Sequence, residues 1–270
     1  MKDLHVYITE KLVLNKGTFK NNYKYFPETT EKLKNIIKQL IKERKDNDVI
    51  DLNDIDTSEI TDMLGLFDIF ENNYTTYKID ISRWDVSNVI NMSGMFAYWR
   101  GLQSVGDLSS WNVSKVEHMN YMFKNCDSLK SIGDISKWDV SNVEDTYYMF
   151  DECRKLKSIG DLSSWNVSKV TDMTCMFSNC RELKKIGNLD NWNVSKVRGM
   201  YAMFFNCENF KDIGDISDWN TSKVQSTSRM FDGCIKLKNV GNLDKWNIEK
   251  LEDMTHMFSE CGITNIPHWY

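Results

Sequence analysis

Seven tryptophans stand 27 residues apart: Trp84, Trp111, Trp138, Trp165, Trp192, Trp219 and Trp246. The same phrase surrounds each of them, as in Asp161-Leu162-Ser163-Ser164-Trp165-Asn166-Val167-Ser168-Lys169-Val170. A period without insertions requires every copy to meet its neighbours in the same way. Each unit then leaves an apolar face that only the next unit covers, which predicts a stacked solenoid. A surface built by repetition suits binding, but the period does not name a partner.

The remaining composition narrows the class. Net charge is −5, from Lys+Arg 34 against Asp+Glu 39, so electrostatics supplies no reason to expect nucleic acid. Two prolines and 13 glycines argue against a flexible linker chain, and 12% aromatic residues supply a core. Residues 1–11, Met-Lys-Asp-Leu-His-Val-Tyr-Ile-Thr-Glu-Lys, form no signal peptide and offer no cysteine for lipidation. No segment is apolar enough to span a bilayer. The expected location from these features is cytoplasmic.

Six of the seven cysteines, Cys126, Cys153, Cys180, Cys207, Cys234 and Cys261, keep the 27-residue period, and Cys175 lies off it. On helix bodies packed about 8–10 Å apart they would be too distant for a disulfide or a shared zinc ion. They are expected to be small buried thiols, packing like alanine or valine.

Along the chain, Leu4, Ile8 and Leu12 share a helical face while Leu4, Val6 and Ile8 also fit a strand, so the first segment stays open. After Pro27, Leu33, Ile36, Ile37, Leu40 and Ile41 mark an amphipathic helix with Thr29 or Thr30 as its N-cap. Residues 1–50 are read as an N-terminal helical cap, 51–262 as one degenerate and seven regular units, and 263–270 as a C-terminal cap. In the degenerate unit Ile55 takes the tryptophan slot. The step from Phe67 to Phe96 is 29, which places two extra residues near Asn72-Asn73.

Within a unit, Ser114 stands where a helix N-cap would, and Val116, Met119, Met122, Phe123 and Cys126 follow at helical spacing. The stretch Leu129–Ser136 suits a brief strand. One strand and one helix per unit predict an α/β, leucine-rich-repeat-like curved solenoid. Its parallel β-ladder lies on the concave side, because helices need about 10 Å laterally against about 4.8 Å for strands.

The phrase Trp-Asn/Asp-Val-Ser-x-Val-x-x-Met-x-x-Met-Phe-x-x-Cys-x-x-Leu, intact from Trp165 to Leu183, resembles the repeat of the BspA-like leucine-rich-repeat surface proteins of bacteria. The resemblance covers residues 51–270. It implies a surface or lipoprotein adhesin that binds host or matrix proteins. The chain departs from the family in carrying no secretion signal. Leu129, Ile132 and Ile135 are also three apart, where a bulge at Gly133 would return both isoleucines to the core.

Catalytic constellations break repeats, and none is found here. His5, His118, His256 and His268 are scattered, and no phosphate loop, nucleophile elbow or metalloprotease pattern occurs. The expectation is no enzyme, no cofactor and no metal. The candidate partner-contact row is Asp107, Asp134, Asp161, Asn188, Asp215 and Asn242. A cation or basic partner along the row would offset the stacked charge. Alternatively each side chain caps a turn at its own Gly, the reading the two asparagines favour. Lys130, Lys157, Lys184, Lys211 and Lys238 form a row that pairs with acids or keeps its face solvated. The expected function is a monomeric, non-enzymatic protein-binding scaffold, without nucleic-acid binding or membrane insertion. The alternative is an intracellular or phage-associated structural or assembly part.

Overall fold

The computed structural model describes residues 23–270; Leu4, Val6, Ile8 and Leu12 lie outside the described residues. The helix expected after Pro27 forms as α1 (Thr30–Glu43), with Leu33, Ile36, Ile37, Leu40 and Ile41 as its buried stripe. Thr29 is its N-cap, the hydroxyl oxygen accepting from the Lys32 N–H at 3.2 Å. Glu31 in the first turn and Lys42 in the last complement the helix dipole. The stripe joins the same apolar cluster as Ile50, Leu52 and Ile55 of the first coil.

Beyond α1 the chain is a stack of coils with little regular secondary structure. A small parallel sheet, ordered β1 (Ile50–Asp51), β2 (Tyr77–Asp80), β3 (Leu102–Ser104), begins one side, and a single bridge from Ser104 to Ser131 continues it. A second side is a run of parallel bridges from Asp62 through Asn91, His118, Asp145, Asp172, Gly199 and Ser226 to Asp253. Neighbouring repeats therefore lie side by side and in register.

The helices expected over Ser114–Cys126 and its equivalents do not form; these residues are consecutive turns. The backbone bonds explain why. The N–H groups of Tyr121, Phe123 and Asn125 donate to Tyr147, Met149 and Asp151 of the following coil, at 3.0, 2.9 and 2.8 Å. The N–H groups that alternate with them close tight turns, Met122 onto Met119, Lys124 onto Tyr121 and Cys126 onto Phe123. With alternate donors committed to the next coil, no i to i−4 ladder remains. Tyr121 and Asn125 take φ of 59° and 58°, the left-handed conformation needed at the third residue of a type II turn. Ser114 is accordingly no helix cap: its N–H donates to Asn112 Oδ1 at 3.2 Å. Without a row of helices, the lateral-room argument for a concave strand face loses its premise.

The core is made of identical side chains in columns. Eight phenylalanines from Phe67 to Phe258 stack with ring centroids 5.0 to 5.9 Å apart. Each periodic indole N–H donates to a carbonyl of the preceding coil, as Trp165 does to Ile135 O at 3.1 Å and Trp192 to Leu162 O at 2.9 Å. Trp269 extends the column, stacking 6.5 Å from Trp246 and donating to Leu243 O. Leu129, Ile132 and Ile135 are all fully buried, and Gly133 between them has φ of +86°.

The cysteines require a correction. They lie on turns and not on helix bodies, and five of them donate in the same way to a phenylalanine carbonyl of the preceding coil, unlike alanine or valine. Cys180 Sγ donates to Phe150 O at 3.1 Å, and Cys126, Cys153, Cys207 and Cys234 repeat the contact. All seven are free thiols. Two surplus residues lie earlier than expected. The Phe67 N–H pairs with Met95 and the Asn72 N–H with Tyr98, so the extra length falls in the 3-10 turn Asp68–Phe70 and not at Asn72-Asn73.

Candidate recognition surface

The predicted Asp/Asn row is exposed and in register. Oδ1 of Asp107, Asp134, Asp161 and Asp215 accepts from the N–H two residues on, each at 3.0 Å, and Asn188 and Asn242 do the same at 3.2 and 3.1 Å. The capped N–H belongs to Ser109 and its equivalents and not to the row's own glycine. The glycine matters one coil later. A Cβ on Gly133 would lie 1.9 Å from Asp107 Oδ1, and Gly160, Gly187, Gly214 and Gly241 repeat this tight fit. Backbone hydrogen bonds hold the Asp134 and Asp161 carboxyls below their usual range, and a serine hydroxyl bond leads the same effect at Asp215. Each of these side chains therefore already accepts a local backbone hydrogen bond. Among the described residues, no group of three or more His, Cys, Asp or Glu is arranged to hold a metal ion.

A surface the sequence reading passed over lies on the double turn. Each coil places an inward Met-Phe pair, such as Met149-Phe150, between two left-handed residues, here Tyr148 and Glu152. The Met-Phe pair never changes, while the first left-handed position runs Gly94, Tyr121, Tyr148, Cys175, Ala202, Arg229, His256. Only one of these seven is the glycine that such a conformation favours.

Around this ridge the aromatic side chains gather. Tyr121 meets Tyr147 edge-on at 5.0 Å and stacks on Tyr148 at 5.3 Å. Lys124 Nζ sits 3.6 Å from the centre of the Tyr148 ring and 3.0 Å from Asp151 Oδ2. Burial raises the Asp151 carboxyl above its usual range against the pull of Lys124, and burial likewise raises the Tyr148 hydroxyl. Two coils further, Tyr201 is 38% exposed, and the half-buried ring of Phe205 in the same coil is overlain by Arg229 at 5.8 Å. The ridge thus presents rigid aromatic rings with fixed cations among them. The available sequence signal was Tyr147-Tyr148 and Tyr201 at solvent-facing positions of an otherwise regular phrase.

Residues 34–160, 103–187 and 156–269 match the family described as "Mycoplasma protein of unknown function, DUF285". The chain belongs to this family. As a DUF285 member it is a repeat protein, and the matched segments together span nearly all the coils. No curated protein matches it. A solved leucine-rich repeat protein from Bacteroides ovatus is similar at 16% identity, with a TM-score of 0.30, over 78% of this chain and 59% of that one. The DUF285 chain therefore spans less than two thirds of that protein's length. Among its described residues no helix is long and apolar enough to cross a membrane.

Proposed function

We propose that this DUF285 chain is a non-enzymatic recognition scaffold, an elongated solenoid that grips a protein partner through its double-turn ridge. The observation that carries the reading is the choice of side chains at the strained position. A non-glycine residue in the left-handed region costs about 1–2 kcal/mol. Four of the seven coils nevertheless keep a Tyr, Arg or His that reaches the surface there, two of them adjacent tyrosines, while glycine serves in Gly94 and the buried Cys175 and Ala202 fill the other two. Strain retained by a chain that has an easier solution at hand points to use of the side chain. Tyrosine and arginine are also the residues that dominate binding energy at protein interfaces.

The variation runs along one stack of invariant coils, so neighbouring side chains differ while their backbone positions do not. This suits recognition of a shape and gives no converging set of catalytic groups. The Trp-Asn/Asp-Val-Ser phrase further supports kinship with the BspA-like surface proteins, and with it a host or matrix protein as partner. The test is a binding panel of extracellular-matrix proteins, run against the intact chain and a Tyr147→Ala/Tyr201→Ala variant of matched unfolding midpoint. The reading expects at least one ligand whose affinity falls by about tenfold or more in the variant. Binding that survives the double substitution unchanged, or no ligand in the panel, counts against it.

A further inference from the structure

The next stretch of each coil carries a second column, of opposite character to the aspartate row. Lys157, Lys184 and Lys211 recur at one position in successive coils. With Lys185 and Lys236 they line a depression of 760 Å3, whose other walls are Ser158, Asn209 and the single acid Asp212. Five ammonium groups against one carboxylate make this a strongly positive patch on a chain of net charge −5.

Column members one coil apart lie about 4.8 Å from each other along the stack at the backbone. Two like charges at about 5 Å repel by roughly 1 kcal/mol even in water. Elsewhere the array neutralises such stacks, pairing Arg100 with Asp127 at 2.9 Å and Arg181 with Glu208 at 3.6 Å across adjacent coils. Here neutralisation is thin. Lys157 reaches Glu182 only at 4.0 Å, and Lys236 donates to the uncharged Asn209 Oδ1. Lys184, Lys185 and Lys211 make no ion pair among the described residues.

We propose that this depression binds a linear polyanion, a polymer bearing closely spaced sulfate or phosphate groups, laid along the stacking axis. Charge that repeats with the coils fits a ligand whose charge also repeats. The lining holds no aromatic ring on which a base could stack, which separates the site from single-strand nucleic-acid grooves. It contains no arginine fork and no apolar side chain, so neither bidentate phosphate clamping nor insertion into a lipid surface is provided for. Lysine point charges, with a hydroxyl and an amide beside them, hold a flexible acidic polymer without demanding one geometry.

The experiment measures binding of dextran sulfate and of inorganic polyphosphate to the full chain between about 50 and 200 mM salt, with uncharged dextran as blank. Wild-type protein is expected to bind one or both polymers, more weakly as salt rises. Binding of dextran sulfate alone identifies a sulfated glycan as the source, and of polyphosphate alone a phosphate chain. Lys184→Glu/Lys211→Glu should lower affinity by about tenfold or more and flatten the salt dependence by about two counterions. Lys196→Glu/Lys223→Glu makes the same charge change in a different exposed column and should alter affinity less than about twofold. Should the first variant fail to fold, Lys184→Gln/Lys211→Gln replaces it. The proposal is overturned if neither polymer binds at the lowest salt, if both charge-reversal pairs lose affinity equally, or if single-stranded DNA binds as tightly as the better polymer.

Discussion

Gly160→Ala tests the interlock between coils most directly. Gly160 sits at φ of +95°, and an added Cβ would fall 1.9 Å from Asp134 Oδ1. Two costs follow. Holding an L-residue in that region costs about 1–3 kcal/mol. Displacing the Asp134 carboxylate also breaks its bond to the Ser136 N–H, 3.0 Å long, a loss of about 1 kcal/mol. The single substitution should therefore destabilise by about 2–4 kcal/mol. Asp134→Ala alone should cost about 1 kcal/mol, the same hydrogen bond lost once. In the double variant the clash is gone and the bond cannot be lost twice, so the total should stay near that of Gly160→Ala. Urea unfolding followed by tryptophan fluorescence, with its slope checked because repeat arrays can lose two-state behaviour, reads all three. Strict additivity of the two substitutions would refute the interlock, as would a near-neutral Gly160→Ala.

Other substitutions probe other columns. Phe177→Ala removes one ring from a fully buried stack and should cost about 3–5 kcal/mol, while Lys184→Ala on the exposed face should stay within about 0.5 kcal/mol, both read from unfolding midpoints. His256, exposed at φ of 58°, should accept glycine with a change between neutral and about 1 kcal/mol stabilising, whereas glycine at an ordinary φ costs about 0.5–1 kcal/mol; a loss of that size at His256 would deny the left-handed turn. Burial raises the thiols of Cys126, Cys153, Cys180, Cys207 and Cys234 above their usual range. The unfolded chain then releases protons that the folded chain keeps, so stability should be full below about pH 8.5 and decline above it. A pH series of unfolding midpoints that stays flat through that window contradicts the burial, as would rapid alkylation of these thiols in the native protein.

Much of the stack was legible before its geometry was known, because the 27-residue period fixes which residues become neighbours. The inward set was read correctly for Val116, Met119, Met122, Phe123 and Cys126, all buried. The element that carries them was not. Their spacing is three, three, one and three, which an α-helix of 3.6 residues per turn accommodates over three turns. A chain of tight turns closing every third residue produces the same spacing, and Leu129, Ile132 and Ile135 continue it where no helix was expected. Hydrophobic periodicity over so short a window does not separate the two. What separates them is the destination of the N–H groups, which depends on a coil 27 residues away.

The ridge was hidden for the same reason. Tyr148 and Ala202 carry no local mark of left-handed backbone, since neither is the glycine or asparagine that announces such a turn. Their conformation is imposed by the coils on either side. The Tyr148 N–H donates to Thr174 O at 2.8 Å and the Tyr147 carbonyl accepts from Tyr121, so the one peptide plane that joins Tyr147 to Tyr148 is held by the following and the preceding coil. A side chain at this position is released from deciding the fold. Tyr, Arg, His or Gly there leaves the backbone hydrogen bonds in place at a tolerable cost in strain. The coil-to-coil bonding that obscured the turns in the sequence is therefore also what frees the outward residues to differ.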